Sequence, residues 1–301
     1  MTDLSQKAVL VKLSVSQWTA RKFDKRVTQE VAESHGVSVD AGRYNKMLVE
    51  SAEIKKVSKA TNTARTFFYA NTLPWSDEYR IRPTQGYLEF MNDLGQLKTE
   101  FENRVSDFLG MYSDLQTKAR ITLNGMYNPA DYPTPREIVN KFRFSMSVLP
   151  LVGAKDFRID LSKEEVAQIG AQLEKQNSKA VKAAMRTAWT RLHDAVTHMV
   201  DKLSGTKGVF RNSLVDNLEE LTRVLPVLNI TNDPELIRVC DAINHSLCNY
   251  DPDTLRKDDV ARNRTGKEAM KISREIAEVL NKEEEEEDEV DDNMFDSVIN
   301  M

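Results

Sequence analysis

The sequence has 301 residues but only two cysteines, four histidines, eleven glycines, nine prolines and 7% aromatic residues. Two cysteines cannot form a disulfide framework, so a reducing compartment is expected. Apolar runs such as Val148-Leu149-Pro150-Leu151-Val152 fall far short of the ~20 residues that a membrane-spanning helix needs. The opening residues, Met1 to Lys7, lack the apolar stretch of a signal peptide. The expectation is a soluble, cytoplasmic, helix-rich protein with no membrane partner.

Motifs for chemistry are also scarce. Gly205-Thr206-Lys207-Gly208 and Thr265-Gly266-Lys267-Glu268 contain glycine beside lysine, but neither completes a P-loop. There is no G-x-G-x-x-G and no G-x-S-x-G. His193 and His198 are five apart, where the zinc-protease helix needs four with a glutamate between them. Cys240, His245 and Cys248 fall on one expected helix. Positions 240 and 248 share a face, His245 is turned away, and no fourth ligand is nearby. We therefore expect no metal and no cofactor, nominate no catalytic residue, and favour a non-enzymatic protein.

What is abundant is charge, at 30% of residues, with 42 Lys and Arg against 47 Asp and Glu for a net charge of −5. The two signs are unevenly placed. Residues 281–301 hold ten acids (Glu283 to Glu287, Asp288, Glu289, Asp291, Asp292 and Asp296) and a single base, Lys282. Taking these from the totals leaves 41 bases against 37 acids, so a mildly basic body at +4 precedes a tail at −9.

Periodicity then sets out the elements. Ala8 to Val15 reads as a strand, followed by helices over about 16–34 and 41–69. From Gln85 to Ala119 an apolar stripe (Phe90, Leu94, Leu97, Phe101, Val105, Phe108, Tyr112, Leu115, Ala119) predicts one helix about 50 Å long. Thr134-Pro135-Arg136-Glu137 is a capping box. Phe142 to Val148 and Phe157 to Leu161 alternate as half-buried strands do. Ser162-Lys163-Glu164-Glu165, a second capping box, opens a helix to Leu203. Its expected buried face is Val166, Ile169, Leu173, Ala180, Ala184, Ala188, Leu192, Ala195, Met199 and Leu203. Shorter helices are expected near 211–224, 233–249 and 266–281. The fold class expected is α+β, predominantly α. A long antiparallel helical hairpin with a three-stranded antiparallel sheet occupies 1–204, a C-terminal helical cluster 205–280, and a disordered acidic tail 281–301.

Three basic groupings are candidate nucleic-acid contacts. Arg21, Lys22, Lys25 and Arg26 lie beside Trp18 and Phe23. Trp75, Tyr79, Arg80 and Arg82 combine in one connector the residue types that stack bases and hold phosphates. Lys175, Lys179, Lys182 and Arg186 step 4, 3, 4 along the second long helix, roughly opposite its alanine-rich face, and lead on to Trp189 and His193. The tail ends in Met294, Phe295, Val298 and Ile299, candidate partner-docking residues, since a purely solubilising tail needs no such side chains. In general form it resembles the acidic C-terminal tips of single-stranded-DNA-binding proteins, in which acids occupy a basic groove until DNA arrives.

The stretch from Tyr87 to Val166 carries Phe108-Leu109-Gly110-Met111-Tyr112, Asp131-Tyr132-Pro133, Phe142-Arg143-Phe144 leading to Leu149-Pro150, and Asp156-Phe157-Arg158-Ile159. It resembles a family of uncharacterised phage and bacterial helical proteins, a domain of unknown function often encoded near MoxR-type AAA+ ATPases. The resemblance implies a phage or prophage setting in a bacterial host cell and brings no catalytic residues. Two functions stay open. One is a non-enzymatic interaction or assembly protein, accessory to such an ATPase and acting through helical faces and the tail. The other is a single-stranded nucleic-acid-binding protein of phage replication or recombination. Oligomeric state is not fixed by the sequence.

Overall fold

A computed structural model describes residues 4–49, 52–153, 162–204 and 209–299, with side chains described as far as Lys282. In chain order the elements are β1 (Ala8–Ser16), β2 (Arg21–Phe23), α1 (Lys25–His35), β3 (Asn45–Met47), α2 (Ala52–Ala70), β4 (Leu73–Pro74), β5 (Arg80–Pro83) and α3 (Tyr87–Gly110). Then come α4 (Tyr112–Leu123), α5 (Pro135–Val139), β6 (Arg143–Pro150), α6 (Lys163–Leu203), α7 (Ser213–Leu228), α8 (Pro234–Ser246), α9 (Pro252–Lys257) and α10 (Asp259–Ile299). The protein is mostly helical with a small antiparallel sheet. No helix among the described residues is long and apolar enough to cross a membrane.

The larger sheet has four strands rather than three, in the order β4-β5-β1-β6. The expected strand at 157–161 lies outside the described residues. The additional strands come from the connector after α2. There β5 pairs antiparallel with β1, Ile81 facing Leu10, and with β4, Ile81 facing Leu73. The fully buried Ile81 and Leu73 draw this connector into the sheet.

Helix boundaries differ from the periodic reading where tertiary partners intervene. The first helix begins at Lys25 because Asp24 caps it, its side chain accepting from the Val27 N–H. The residues before it form β2, which pairs with β3, and this pairing removes 45–47 from the expected second helix. The long helix over 85–119 breaks at Met111 into α3 and α4, while its stripe stays buried across the break through Phe108, Tyr112 and Leu115. Both capping boxes form as expected, at Thr134 and Ser162. At the other end of the chain, α10 runs from Asp259 to Ile299. Glutamate has good helix propensity, and an existing helix extends without a new nucleus.

The chain divides into two compact units, both discontinuous in sequence. Unit 2 comprises Leu13–Phe68 and Leu88–Ser147. Its core is aromatic: Trp18 lies 6.0 Å from Phe108 and 5.8 Å, edge-on, from Tyr112, and Phe108 lies 5.6 Å from Phe142. Tyr132 donates from its buried hydroxyl to the Leu48 carbonyl at 2.7 Å. Unit 1 comprises Met1–Lys12, Tyr69–Tyr87 and Val148–Met301. Its core is built on the second half of α6 with α7, α8, α9 and α10. The two segments expected to pair as a hairpin, 85–119 and 162–203, therefore fall in different units apart from residues 85–87.

One buried charge organises unit 2. Lys46, 6% exposed, lies 2.7 Å from Asp131 and 3.3 Å from Asp24, and donates to the Met126 carbonyl at 3.0 Å. Burial alone would lower its pKa, but the bonds to Asp131 and Asp24 outweigh this and raise it. The Val27 N–H, aided by Lys46, holds the Asp24 carboxyl below the ordinary carboxylate value. Lys46→Ala leaves two carboxylates without their cation and is expected to destabilise the protein by about 3 kcal/mol, read from urea unfolding at pH 7. Because the Asp24 pKa is depressed, its contribution is present above the unfolded value of about 4 and fades as pH falls through the folded value. The gap between wild type and the variant should therefore shrink in acid; a gap independent of pH below 5 would contradict this assignment.

Candidate interaction surface

Helix α6 runs 41 residues, about 60 Å. It starts at a capping box in which Ser162 Oγ accepts from the Glu165 N–H at 3.2 Å and Glu165 Oε2 accepts from the Ser162 N–H at 3.0 Å. Its two halves have different environments. From Ala184 onward, Met185, Ala188, Trp189, Leu192, Val196, Met199 and Leu203 are buried, and Trp189 Nε1 donates to Asp233 at 3.2 Å. Before Ala184 only Gly170 is buried, and Val166, Ile169, Leu173 and Ala180 are half-buried. The expected apolar face is thus fully covered only in the second half.

The long partner of α6 is α10. Thr197 Oγ1 and Ser273 Oγ are 3.0 Å apart, Ser273 Oγ lies 3.4 Å from His193 Nε2, and a Cβ on Gly266 would meet Leu203 at 3.4 Å. Moving back along α6 from 203 to 197 moves forward along α10 from 266 to 273, so the two helices are antiparallel. Lys175, Lys179, Lys182 and Arg186 share about 60° of arc on α6 with His193 and Thr197. The basic stripe therefore prolongs the line along which α6 meets α10. Its three lysines are exposed and Arg186 is half-buried, whereas Trp189, which the sequence reading placed on the same stripe, is in the core.

The aromatic and basic connector is differently employed. Arg80 donates to Thr72 Oγ1 at 2.7 Å and to the Thr72 carbonyl at 2.9 Å, and lies 4.9 Å over the Tyr69 ring. Arg82, 3% exposed, donates to the carbonyls of Asn71 and Gly86. Arg191, which the sequence reading passed over, donates to the carbonyls of Ala70 and Thr72. Three guanidiniums thus satisfy the carbonyls just past the end of α2, where orphan acceptors and the negative end of the helix dipole favour cations. Burial, together with Arg191, pushes Arg80 down to about 10, so it stays charged at neutral pH. Trp75 packs against the unit 1 core, and the Tyr79 ring lies 5.7 Å from the Lys12 amine. This connector serves as a structural clamp.

The remaining candidates are less constrained. Arg21, Lys22, Lys25 and Arg26 are exposed; Arg26 faces Glu30 at 3.8 Å. Lys25 and Arg26 border an open cleft of about 310 Å³ in unit 2, whose lining includes the neutralised Lys46. Trp18 is buried and presents no face to a base, while Phe23 is 44% exposed with the Arg43 guanidinium 5.7 Å from its ring. Met294, Phe295, Val298 and Ile299 lie on α10, beyond the described side chains. Cys240 is buried and Cys248 half-buried, and burial pushes their thiols up to about 12 and about 11. His245 Nδ1 lies 2.7 Å from the Asp241 carbonyl oxygen. Among the described residues no group of His, Cys, Asp and Glu is placed to hold a metal ion.

The clamp and the stripe separate by stability. Arg82→Ala opens a buried network of carbonyl acceptors and should cost about 3 kcal/mol. Lys179→Ala, on an exposed helix face, should change stability by no more than about 0.5 kcal/mol. Urea unfolding of the two variants in parallel checks this, and equal effects would refute the division. No protein-family model, curated protein or solved structure matches the chain.

Proposed function

We propose that this chain is a non-enzymatic interaction protein of phage type that binds a protein partner through the first half of α6, with a MoxR-type AAA+ ATPase as the partner class. The observation that carries the reading is the contrast within α6. Its second half is packed into the core of unit 1, whereas its first half places exposed lysines on one line and half-buried apolar residues on another. A helix that presents a basic line and an apolar line side by side has what an acidic amphipathic partner surface requires. The setting and the partner class rest on the family resemblance between Tyr87 and Val166.

The second reading, single-stranded nucleic-acid binding, is favoured by the same lysine ladder and by the exposed bases beside Phe23. It is weakened by the connector, since Arg80 and Arg82 are engaged by backbone carbonyls.

Co-elution of the purified full chain with a MoxR-type AAA+ ATPase, repeated with the Lys175→Glu/Lys179→Glu/Lys182→Glu variant, tests the first reading. A 30-nucleotide oligothymidylate titrated against both proteins at several salt concentrations tests the second. The expected outcome is ATPase binding by the wild type and at least tenfold weaker binding by the variant. Oligonucleotide affinity that falls steeply with salt, without co-elution, would select the second reading; no binding of either kind would exclude both.

A further inference from the structure

The second half of α6 and the start of α7 border an open cavity of about 540 Å³ within unit 1, lined by both cations and apolar side chains. We infer that this cavity binds a small aromatic phosphate monoester, with the phosphate at Lys202, Arg211, His198 and Ser213 and the ring on an apolar floor. The inference goes beyond the reading of α6 as a protein-binding surface, because the cavity lies on the other half of that helix and uses none of its lysine stripe.

Helical spacing brings the lining together. Ala195, His198 and Lys202 step three and four along α6, so they share one face. Leu214 and Leu218 do the same on α7 and are buried, and with the half-buried Ala195 and Phe210 they make the floor. The polar group at the rim is exposed. Among the described residues no hydrogen bond or ion pair engages the side chains of Lys202, Arg211, His198 or Ser213, and no carboxylate lines the cavity. The other basic clefts differ on this point. The one beside Lys46 carries Asp24 and Asp131, and the groove between α2 and α3 carries Glu100, 2.7 Å from Arg104.

The loop before α7 is fixed in a way that favours an anion. Arg256 donates to the Phe210 carbonyl at 2.8 and 3.0 Å and to Asn212 Oδ1 at 2.6 Å, and lies 5.2 Å from the Phe210 ring. Asn212 stands at the N-cap of α7, but its side-chain oxygen is taken up by Arg256 and makes no cap bond. The first turn of this 16-residue helix therefore keeps its positive end without a side-chain cap. Lys202, in the last turn of α6, sits where the dipole alone favours a cation. Arg211 sits just before a helix start, where the dipole disfavours one, so an anion held there relieves a local repulsion. A phosphate monoester brings about two negative charges and three acceptor oxygens, which suits two cations, an imidazole and a hydroxyl better than a carboxylate does. The volume falls within the roughly 300–1,000 Å³ of small-molecule sites, so a ring fits beside the phosphate.

Titration calorimetry of the full chain with 1-naphthyl phosphate, inorganic phosphate and 1-naphthol tests the site. The expected result is binding of 1-naphthyl phosphate at least tenfold tighter than of either inorganic phosphate or 1-naphthol. Lys202→Ala/Arg211→Ala should weaken it at least tenfold, while Lys179→Ala, which removes a cation elsewhere on α6, should leave it unchanged. Ser213→Glu should abolish binding with the far-UV circular dichroism unaltered, since an acid at the first helical position suits the dipole yet repels a phosphate. No binding of 1-naphthyl phosphate by the wild type, equal binding of 1-naphthol, or wild-type affinity in the Lys202→Ala/Arg211→Ala variant would each overturn the inference. Equal weakening by Lys179→Ala would show a diffuse charge effect and overturn it too. None of these readouts involves the ATPase or oligothymidylate, so the site and the proposed function stand or fall separately.

Discussion

A 41-residue helix cannot bury its length against partners of ordinary size, and in α6 this constraint decides what the rest of unit 1 must do. The second half of α6 is covered by α7, β4 and the start of α10, and Asp233, which caps α8, also receives the indole of Trp189. One carboxylate thereby fixes a helix start and anchors the largest fully buried side chain of the unit. Among the described elements, α10 is the one that matches α6 in length. Small polar residues, Thr197 and Ser273, meet within this packed stretch.

Buried cations set the other limits of the fold. Lys46 pairs with both Asp24 and Asp131, and through Asp24 it ties the start of α1 to the loop that holds Met126. Arg80, Arg82 and Arg191 take the carbonyls that the end of α2 leaves without helical donors. In neither place does the positive charge mark a surface for an external anion; each is satisfied by the protein's own acceptors. Such groups are expensive to bury and more expensive to orphan, so they specify the local arrangement strongly. The lysines of α6 differ in the one respect that matters for recognition, which is exposure.

Much of the architecture was legible in local chemistry. The capping boxes at Thr134 and Ser162 gave helix starts to the residue, because a cap is a bond between neighbours in sequence. The apolar stripe from Phe90 to Ala119 was also legible, although the backbone breaks at Met111 beneath it. What local pattern could not supply was partnership across distance. Trp18 reads as a helical aromatic beside basic residues, yet it lies in a core made with Phe108 and Tyr112, ninety residues on. The connector from Trp75 to Arg82 reads as a binding loop, and only Arg191, far along the chain, shows why its arginines are structural. The residues that carry the family resemblance, Phe108, Tyr112, Tyr132 and Phe142, are likewise packing residues of unit 2.

The same distinction applies to charge. A net charge of −5 describes neither part of the chain, because the acids concentrate after residue 281 and the body is mildly basic. Sequence alone makes this a composition argument, in which a basic body and an acidic segment attract in an unspecified way. Within the body the structure makes it a positional one: Lys46, Arg80, Arg82 and Arg191 are held by the protein's own acceptors, whereas Lys179 and Lys182 of α6 are exposed.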